Sequence, residues 1–291
     1  MTRIGFGIDI GGSGIKGATV DLKKGSLAAD RVRIPTPQPS LPEAVADTVA
    51  EVLSAFDLEP GVPVGVTFPG IIQHGVVLTA ANMDPSWVNV DVQELFTKRT
   101  GHDVFAVNDG DAAGVAEMAF GAGKKTRGTV MLTTLGTGVG TALFVDGHLV
   151  PNTELGHIPL VGHDDAEKWM AESIRDRESL TWEEWAERLQ VYYSTLEFLF
   201  SPDLFIVGGG VSKKHEKFLP LLDLRTPIVP ARTRNEAGII GAAVLANEAR
   251  AGQERTKEQK GTAKTGKKKS KDGSKGGSKA TTAKPQKSSK G

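Results

Sequence analysis

The stretch Ile4-Gly5-Phe6-Gly7-Ile8-Asp9-Ile10-Gly11-Gly12-Ser13-Gly14-Ile15-Lys16-Gly17-Ala18-Thr19-Val20 decides the fold. An apolar, β-branched run ends at Asp9, small residues turn the chain, and a second strand-like run begins. Two extended runs joined this way predict a β-hairpin. The turn glycines predict φ > 0 and bare N–H groups that can approach an anion. Ser13 adds a hydroxyl, Lys16 a cation, and Asp9 a carboxylate suited to Mg2+ beside a phosphate. Taken alone, the motif fits a plain turn equally well. It is no P-loop, because no Gly-Lys-Ser/Thr opens a helix. It is no dinucleotide fingerprint either, because a strand follows.

Outward from this hairpin, 291 residues at 39% hydrophobic can bury a sizeable core in two domains. The chain has no cysteine, which excludes disulfides and thiolate metal sites and suits a cytoplasmic setting. No signal-peptide pattern opens the chain, and no run reaches the roughly 18 apolar residues of a spanning helix, so no membrane contact is expected. The zero formal net charge hides a split. From Ala251 on, twelve lysines and Arg255 stand against Glu254, Glu258 and Asp272, a net +10 that leaves −10 on residues 1–250. That Lys-, Gly-, Ser- and Thr-rich segment, 251–291, reads as a disordered tail. Its plain role is solubility, its sharper one a loose tether for a polyanion.

A third strand is expected over 27–34, and Pro35, Pro37 and Pro39 then break regular structure. Ser40, with Glu43 at the capping-box position and Pro42 in the first turn, predicts the next helix. A buried strand over 62–68 leads to the turn Pro69-Gly70. The loop Ala81-Asn82-Met83-Asp84-Pro85-Ser86-Trp87 either faces a sugar or merely connects, with Trp87 in the core. Asp91 caps a short helix, and a strand over 104–107 delivers Asn108-Asp109-Gly110-Asp111 before an Ala-rich helix over 112–120. A carboxylate where a strand hands over to a helix sits on rigid support facing a crevice. Of the two, Asp111 is the better helix cap, which leaves Asp109 free for chemistry.

Residues 129–145 repeat the opening plan: a strand, the turn Gly136-Thr137-Gly138, and another strand. Two such hairpins suggest two related domains, each offering one turn to the same phosphate chain. Glu154 and His157 are spaced to reach one small hydroxylated ligand, although His157 also reads as a structural histidine. A polar helix is expected over 165–175. Thr181 with Glu184 forms a capping box for a helix over 182–200, whose aromatics read as core or a dimer face. A strand over 203–207 ends in Gly208-Gly209-Gly210, where a helix start would suit a phosphate or a nucleotide. The last helix is expected over 236–249, with Gly238 and Gly241 at close-packing spacing.

Together these motifs resemble the ROK family of sugar kinases, over residues 4–250. The resemblance implies an α/β fold of two actin-like (ribonuclease H-like, hexokinase-type) domains with an inter-domain cleft. The domains would be 1–111, completed by the helix 236–250, and 112–235. It implies Asp109 as catalytic base. The donor phosphates would bind at Gly11, Gly12, Ser13, Gly14, Lys16, Thr134, Gly136, Thr137 and Gly138. The sugar would bind at Gly70, Asn82, Asn108, Asp109, Glu154 and His157, and Gly208, Gly209 and Gly210 would lie on the nucleotide side. Asp9 would hold Mg2+ through water. Most members follow Glu-x-Gly-His with zinc-binding cysteines; residues 158–169 have none, so no structural zinc is expected and His157 becomes a sugar contact.

That departure, with the segments at 82–87 and 108–111, resembles the family's polyphosphate glucokinase branch. The implied reaction is phosphorylation of glucose at its 6-hydroxyl by inorganic polyphosphate, with ATP or GTP as second donors. The implied protein is a cytoplasmic homodimer with no specific nucleic-acid partner and no DNA-binding helix-turn-helix. The two domains would close around the sugar, hinging near 110–112 and again before the last helix. A polyphosphate track would draw on Lys16, Lys124, Lys125, Arg127, Lys213, Lys214, Arg232 and Arg234. Two rivals are a strictly ATP-dependent glucokinase of the same family and a non-catalytic sugar sensor. The sensor would not need Asp9, Asp109 and both phosphate turns.

Overall fold

The opening hairpin forms as its alternation predicts. Strand β1 (Ile4–Gly11) pairs antiparallel with β2 (Gly14–Asp21), Ile10 opposite Ile15 and Gly11 opposite Gly14. The expected third strand is two short ones, β3 (Ser26–Leu27) and β4 (Val32–Ile34), both paired with β2. Helix α1 (Pro42–Ser54) precedes β5 (Val64–Phe68), and a small ribbon, β6 (Ile72–Gln73) with β7 (Val76–Val77), leads to α2 (Val92–Thr100). Then come β8 (Val104–Asn108) and α3 (Asp109–Phe120). Strands β1, β5 and β8 run parallel, giving the order β3-β2-β1-β5-β8. This is a computed structural model, and it describes residues 4–80 and 82–272.

The second sheet repeats this plan. Strands β9 (Thr129–Leu135) and β10 (Val139–Val145) form its hairpin, and β11 (His148–Val150) extends it. After α4 (Glu167–Met170), α5 (Glu172–Glu178) and α6 (Trp182–Phe200), β12 (Leu204–Gly208) and β13 (Ile228–Pro230) add on parallel, giving β11-β10-β9-β12-β13. Helix α7 begins at Ala237 and runs to Asp272.

Each sheet has its own core. Phe6, Ile8, Val64, Trp87 and Phe96 pack in the first, and Trp185, Tyr192, Tyr193 and Phe205 in the second. Helix α3 takes part in both halves: Ala116 packs with Val20 and Ile239, and Val115 packs with Val130 and Ile206. The aromatics of α6 divide accordingly. Trp185, Tyr192 and Tyr193 are core, while Phe198 is 84% exposed. Trp87 is core as well, donating its indole N–H to the Ser40 carbonyl (2.7 Å).

Several local expectations are corrected. Ser40 does not cap α1: its hydroxyl accepts the Asp84 N–H (3.0 Å), and Leu41 stands at the N-cap position with no side-chain bond. Asp111 does not cap α3. Asn108 does, accepting the Asp111 N–H (2.9 Å), because it occupies the last extended position before the first turn. The polar helix at 165–175 is α4 and α5, broken at Ala171 (ψ 154°). The glycine triplet opens 3-10 turns over Gly210–Lys217 rather than a regular helix. The last helix overruns its expected end at Ala249, and the segment read as disordered from Ala251 is helical to Asp272. Its Ala, Lys, Glu and Gln are good helix formers, and no proline interrupts it before Pro285. The rest of the expected tail, 273–291, lies outside the described residues. Residues 1–250 form one compact unit and 251–291 another. Among the described residues no helix is long and apolar enough to cross a membrane.

Close backbone packing fixes α7 against its neighbours. A Cβ on Gly7 would overlap the Ile239 carbonyl, and one on Gly241 the Ala112 carbonyl. Alanine at 241 would gain about 1 kcal/mol of helix propensity. Overpacking costs about 1–3 kcal/mol, and here it falls on backbone that cannot rotate away. The clash wins: Gly241→Ala should lower the melting temperature by several degrees, and an unchanged melt would show that α7 can shift freely.

Candidate active site

The second β-hairpin turn and the first face one cavity. Its volume is about 570 Å3, and Gly11 and Gly12 line it from one sheet, Gly136, Thr137 and Gly138 from the other. None of Gly11, Gly12, Gly14, Gly136 or Gly138 has positive φ, so the expected left-handed turn geometry is absent. These glycines serve space instead. A Cβ on Gly12 or Gly136 would meet nothing within 4 Å, so the bare backbone faces open volume. A Cβ on Gly14 would come within 2.8 Å of the Arg33 guanidinium, which donates to the Ser13 carbonyl (2.8 Å).

At the base of this cavity β8 hands over to α3. Asn108 is buried with both ends of its amide engaged, since Nδ2 also donates to the Gly70 carbonyl (3.1 Å). That lock places Asp109 at the first helical position, lining the cavity with its side chain open to it. Asp109 Oδ1 accepts its neighbour Gly110's N–H (2.9 Å). Desolvation by the cleft walls, with Asp9 and Glu154 nearby, pushes its pKa up to about 6. The carboxylate is water-accessible, so the crowding of the cleft rather than full burial is the cause. A base titrating just below neutrality is ionised at pH 7 and still able to take a proton.

Across the cavity stand Asn82, Gly70, Glu154 and His157. Asn82 adopts φ 57°, an uncommon backbone state for a non-glycine residue, and it sits on the cavity wall. Burial raises the Glu154 pKa, Glu167 adds to the shift, and His157 opposes it. His157 Nδ1 lies 3.3 Å from both oxygens of Asp165, which orients the ring. Gly156 must lack a side chain, because a Cβ there would overlap the Val139 carbonyl.

A second cavity, about 380 Å3, opens on the other side of Asp109. Asp109, Thr134 and Gly209 line both; Asp9, Lys16, Gly208 and Gly210 line only the second. Asp9 accepts from Lys16 Nζ (3.1 Å) through one oxygen and from Thr67 Oγ1 (3.1 Å) through the other. Thr67 Oγ1 in turn accepts the Ile10 N–H (3.1 Å). Lys16 therefore holds Asp9 rather than the mouth of the first turn, and Ser13 and Gly14 line neither cavity. Among the described residues no cluster of three or more His, Cys, Asp or Glu could hold a metal unaided. A lone carboxylate beside a phosphate site does suit Mg2+, which keeps several waters and binds through one or two carboxylates.

Four contributors escaped the sequence reading. Glu167 accepts the Val139 N–H (2.7 Å) and fills the space beside Gly138. Thr67 steadies Asp9, and Asp165 orients His157. Asn152 (φ 58°) donates its N–H to Asp111 Oδ2 (2.8 Å) and bonds Ile72 from both ends of its amide. Asp111 Oδ1 is buried with no partner, and burial pushes the Asp111 pKa up to about 7 despite the Asn152 bond. Only Asp165 had a legible signal, eight residues after a histidine of interest.

The class defined by this fold and site is that of two-lobed enzymes that work on a ligand between paired glycine turns. The ROK family model matches residues 5–171, and the chain belongs to the ROK family. It is 49% identical to a polyphosphate glucokinase of Mycobacterium tuberculosis, over 83% of this chain and 91% of that one. It superimposes with a TM-score of 0.81 on an inorganic polyphosphate/ATP-glucomannokinase from Arthrobacter sp. strain KM, 56% identical, covering 85% of this chain and 100% of that one. A ROK family glucokinase from Streptomyces griseus in complex with glucose and AMPPNP matches at 0.70 with 24% identity, over 84% and 99%; there the likeness is one of fold. The fold is thus the α/β, hexokinase-type plan of two actin-like domains.

Asp109→Asn keeps the shape of the helix start but removes the carboxylate that could accept a proton. It should lower kcat on the order of 10²–10⁴-fold with little change in sugar binding. Near-normal turnover would remove Asp109 from the chemistry. Because Asp109 must be ionised to accept a proton, wild-type kcat/KM should rise with pH through about 6 and level off above it. A flat profile from pH 5 to 8 would contradict that assignment.

Proposed function

We propose that this chain transfers the terminal phosphoryl group of inorganic polyphosphate to the 6-hydroxyl of glucose, giving glucose 6-phosphate, with ATP or GTP as second donors. The observation that carries this reading is the single cavity lined by both glycine turns, Asp109, Glu154 and His157. The relatives named polyphosphate glucokinase and polyphosphate/ATP-glucomannokinase support the choice of sugar and donor.

In this reading the sugar lies among Gly70, Asn82, Asn108, Glu154 and His157. Asn108 acts mainly by locking Asp109 in place, since its own amide is already occupied. Asp109 takes the 6-hydroxyl proton as the new oxygen–phosphorus bond forms. The bridging oxygen leaves with the shortened donor. Bare N–H groups at Gly11–Gly12 and Gly136–Gly138, with Thr134 and Thr137, meet charge on the transferred group's oxygens. Little covalent work falls to the protein, so positioning and charge stabilisation dominate. Mg2+, held through water by Asp9, would supply charge neutralisation to the donor phosphates. Gly208, Gly209 and Gly210 line the donor side. The reading includes two domains, 1–111 completed by 236–250 and 112–235, closing on the sugar to exclude water.

The test is glucose phosphorylation by purified protein with polyphosphate and no nucleotide. Glucose 6-phosphate should form in proportion to donor consumed. Turnover with ATP alone would leave a strictly nucleotide-dependent kinase, and failure to turn over with any donor would leave a sugar sensor.

A further inference from the structure

A third cavity, about 1600 Å3, continues outward from the donor side of the site. It shares Arg31, Ala231, Arg234 and Asn235 with the cavity that holds Asp9 and Asp109, so the two form one continuous groove. Arg31, Lys213, Arg232 and Arg234 line it, all exposed, with His215 half-buried among them. Among the described residues no carboxylate lies in ion-pair reach of those four cations. Among the described residues Asp30 and Glu236 are the only acids lining this outer cavity, against four cations, so its lining carries a positive excess. This stands out on residues 1–250, whose net charge is −10.

The cationic wall is built rather than incidental. Glu117 is fully buried in α3 and accepts the N–H groups of Arg232 (2.8 Å) and Thr233 (2.6 Å), along with the Thr233 hydroxyl (2.6 Å). One carboxylate thus pins the segment bearing Arg232 and Arg234 to the helix whose first residue is Asp109. Arg234 sits at φ 52°, a strained state for a long side chain, at the junction of the two cavities. Among the described residues no Phe, Tyr or Trp lines the groove. Of the other basic candidates, Lys125 and Arg127 line a separate cavity with His148 and Glu248, and Lys214 lies over Trp182 (5.8 Å).

We propose that the groove lined by Arg31, Lys213, Arg232 and Arg234 binds the distal phosphates of a polyphosphate chain whose terminal phosphate lies beside Asp109. This rests on the polyphosphate reading above. Tripolyphosphate carries only two phosphates beyond the transferred one, against many on a long chain, so it serves as the internal control. The experiment compares wild type with the double variant Arg232→Ala/Lys213→Ala, using long-chain polyphosphate, tripolyphosphate and ATP as donors. Thermal melting and the KM for glucose report intact folding. The expected result is a rise of about tenfold or more in KM for the long-chain donor, with kcat and the tripolyphosphate constants nearly unchanged. The long-chain KM of the variant should also depend less steeply on salt, because fewer cations meet the polyanion. An equal loss with both polyphosphates, or no loss with either, would overturn the groove assignment while leaving the donor intact. A wild-type protein inert with both polyphosphates would instead overturn the donor reading, and the groove with it.

Discussion

Helix α3 is held by polar bonds at both ends, and the site depends on that double anchorage. At its start, Asn108 accepts one amide of the helix and donates to Gly70, which fixes Asp109 in the cleft. Toward its end, Glu117 takes three hydrogen bonds from residues 232–233 and a fourth from the Ala122 N–H (2.6 Å). Between these anchors Ala116 packs toward the first sheet and α7, while Val115 packs toward the second sheet. Buried hydrogen bonds to a carboxylate are worth more than neutral ones, and losing one partner leaves an uncompensated charge. The helix therefore ties Asp109, the loop at residues 232–233 and the two sheets into one frame.

The carboxylates around that frame are graded by their surroundings. Asp109 has one backbone donor and two acidic neighbours, and is pushed to about 6. Asp111 has one donor and an orphan oxygen in a buried site, and is pushed to about 7. The ordering follows desolvation against hydrogen bonding: the more buried and less bonded the acid, the more its charged form costs. It also separates roles. Asp109 lines the cleft, whereas Asp111 lines neither cavity and accepts from Asn152.

The two hairpins and the strand-to-helix handover at Asn108-Asp109 were legible because each depends on local pattern. Alternation with small-residue turns predicted β1–β2 and β9–β10, and the strand ending in Asn108-Asp109 put Asp109 at the cavity. Caps at Asp91 and at Thr181 with Glu184 were read correctly from three-residue spacing. Ser40 was misread because its partner, Asp84, comes from distant sequence, and Asp111 because Asn108, three residues before it, takes the cap. Glu117 had no local signature at all. Its partners lie about 115 residues away, and an acid in an Ala-rich helix reads as surface. The turn glycines were right in position but wrong in reason, since what they supply is room rather than left-handed backbone.

A molecule with −10 on residues 1–250 faces a difficulty in gathering a polyanion, and local geometry resolves it. At physiological salt the Debye length is about 8 Å, so exposed acids elsewhere on the surface are largely screened at the groove. What the incoming chain meets is the near field of Arg31, Lys213, Arg232 and Arg234, none offset by a carboxylate partner among the described residues. At the inner end the balance reverses, with Asp9, Asp109 and Glu154 around the reacting centre. A polyanion gripped equally tightly there would be held in the ground state as well as in the transition state, which brings no gain in rate. Placing the strong cations outside and bare backbone N–H groups inside lets affinity and catalysis be set by different residues.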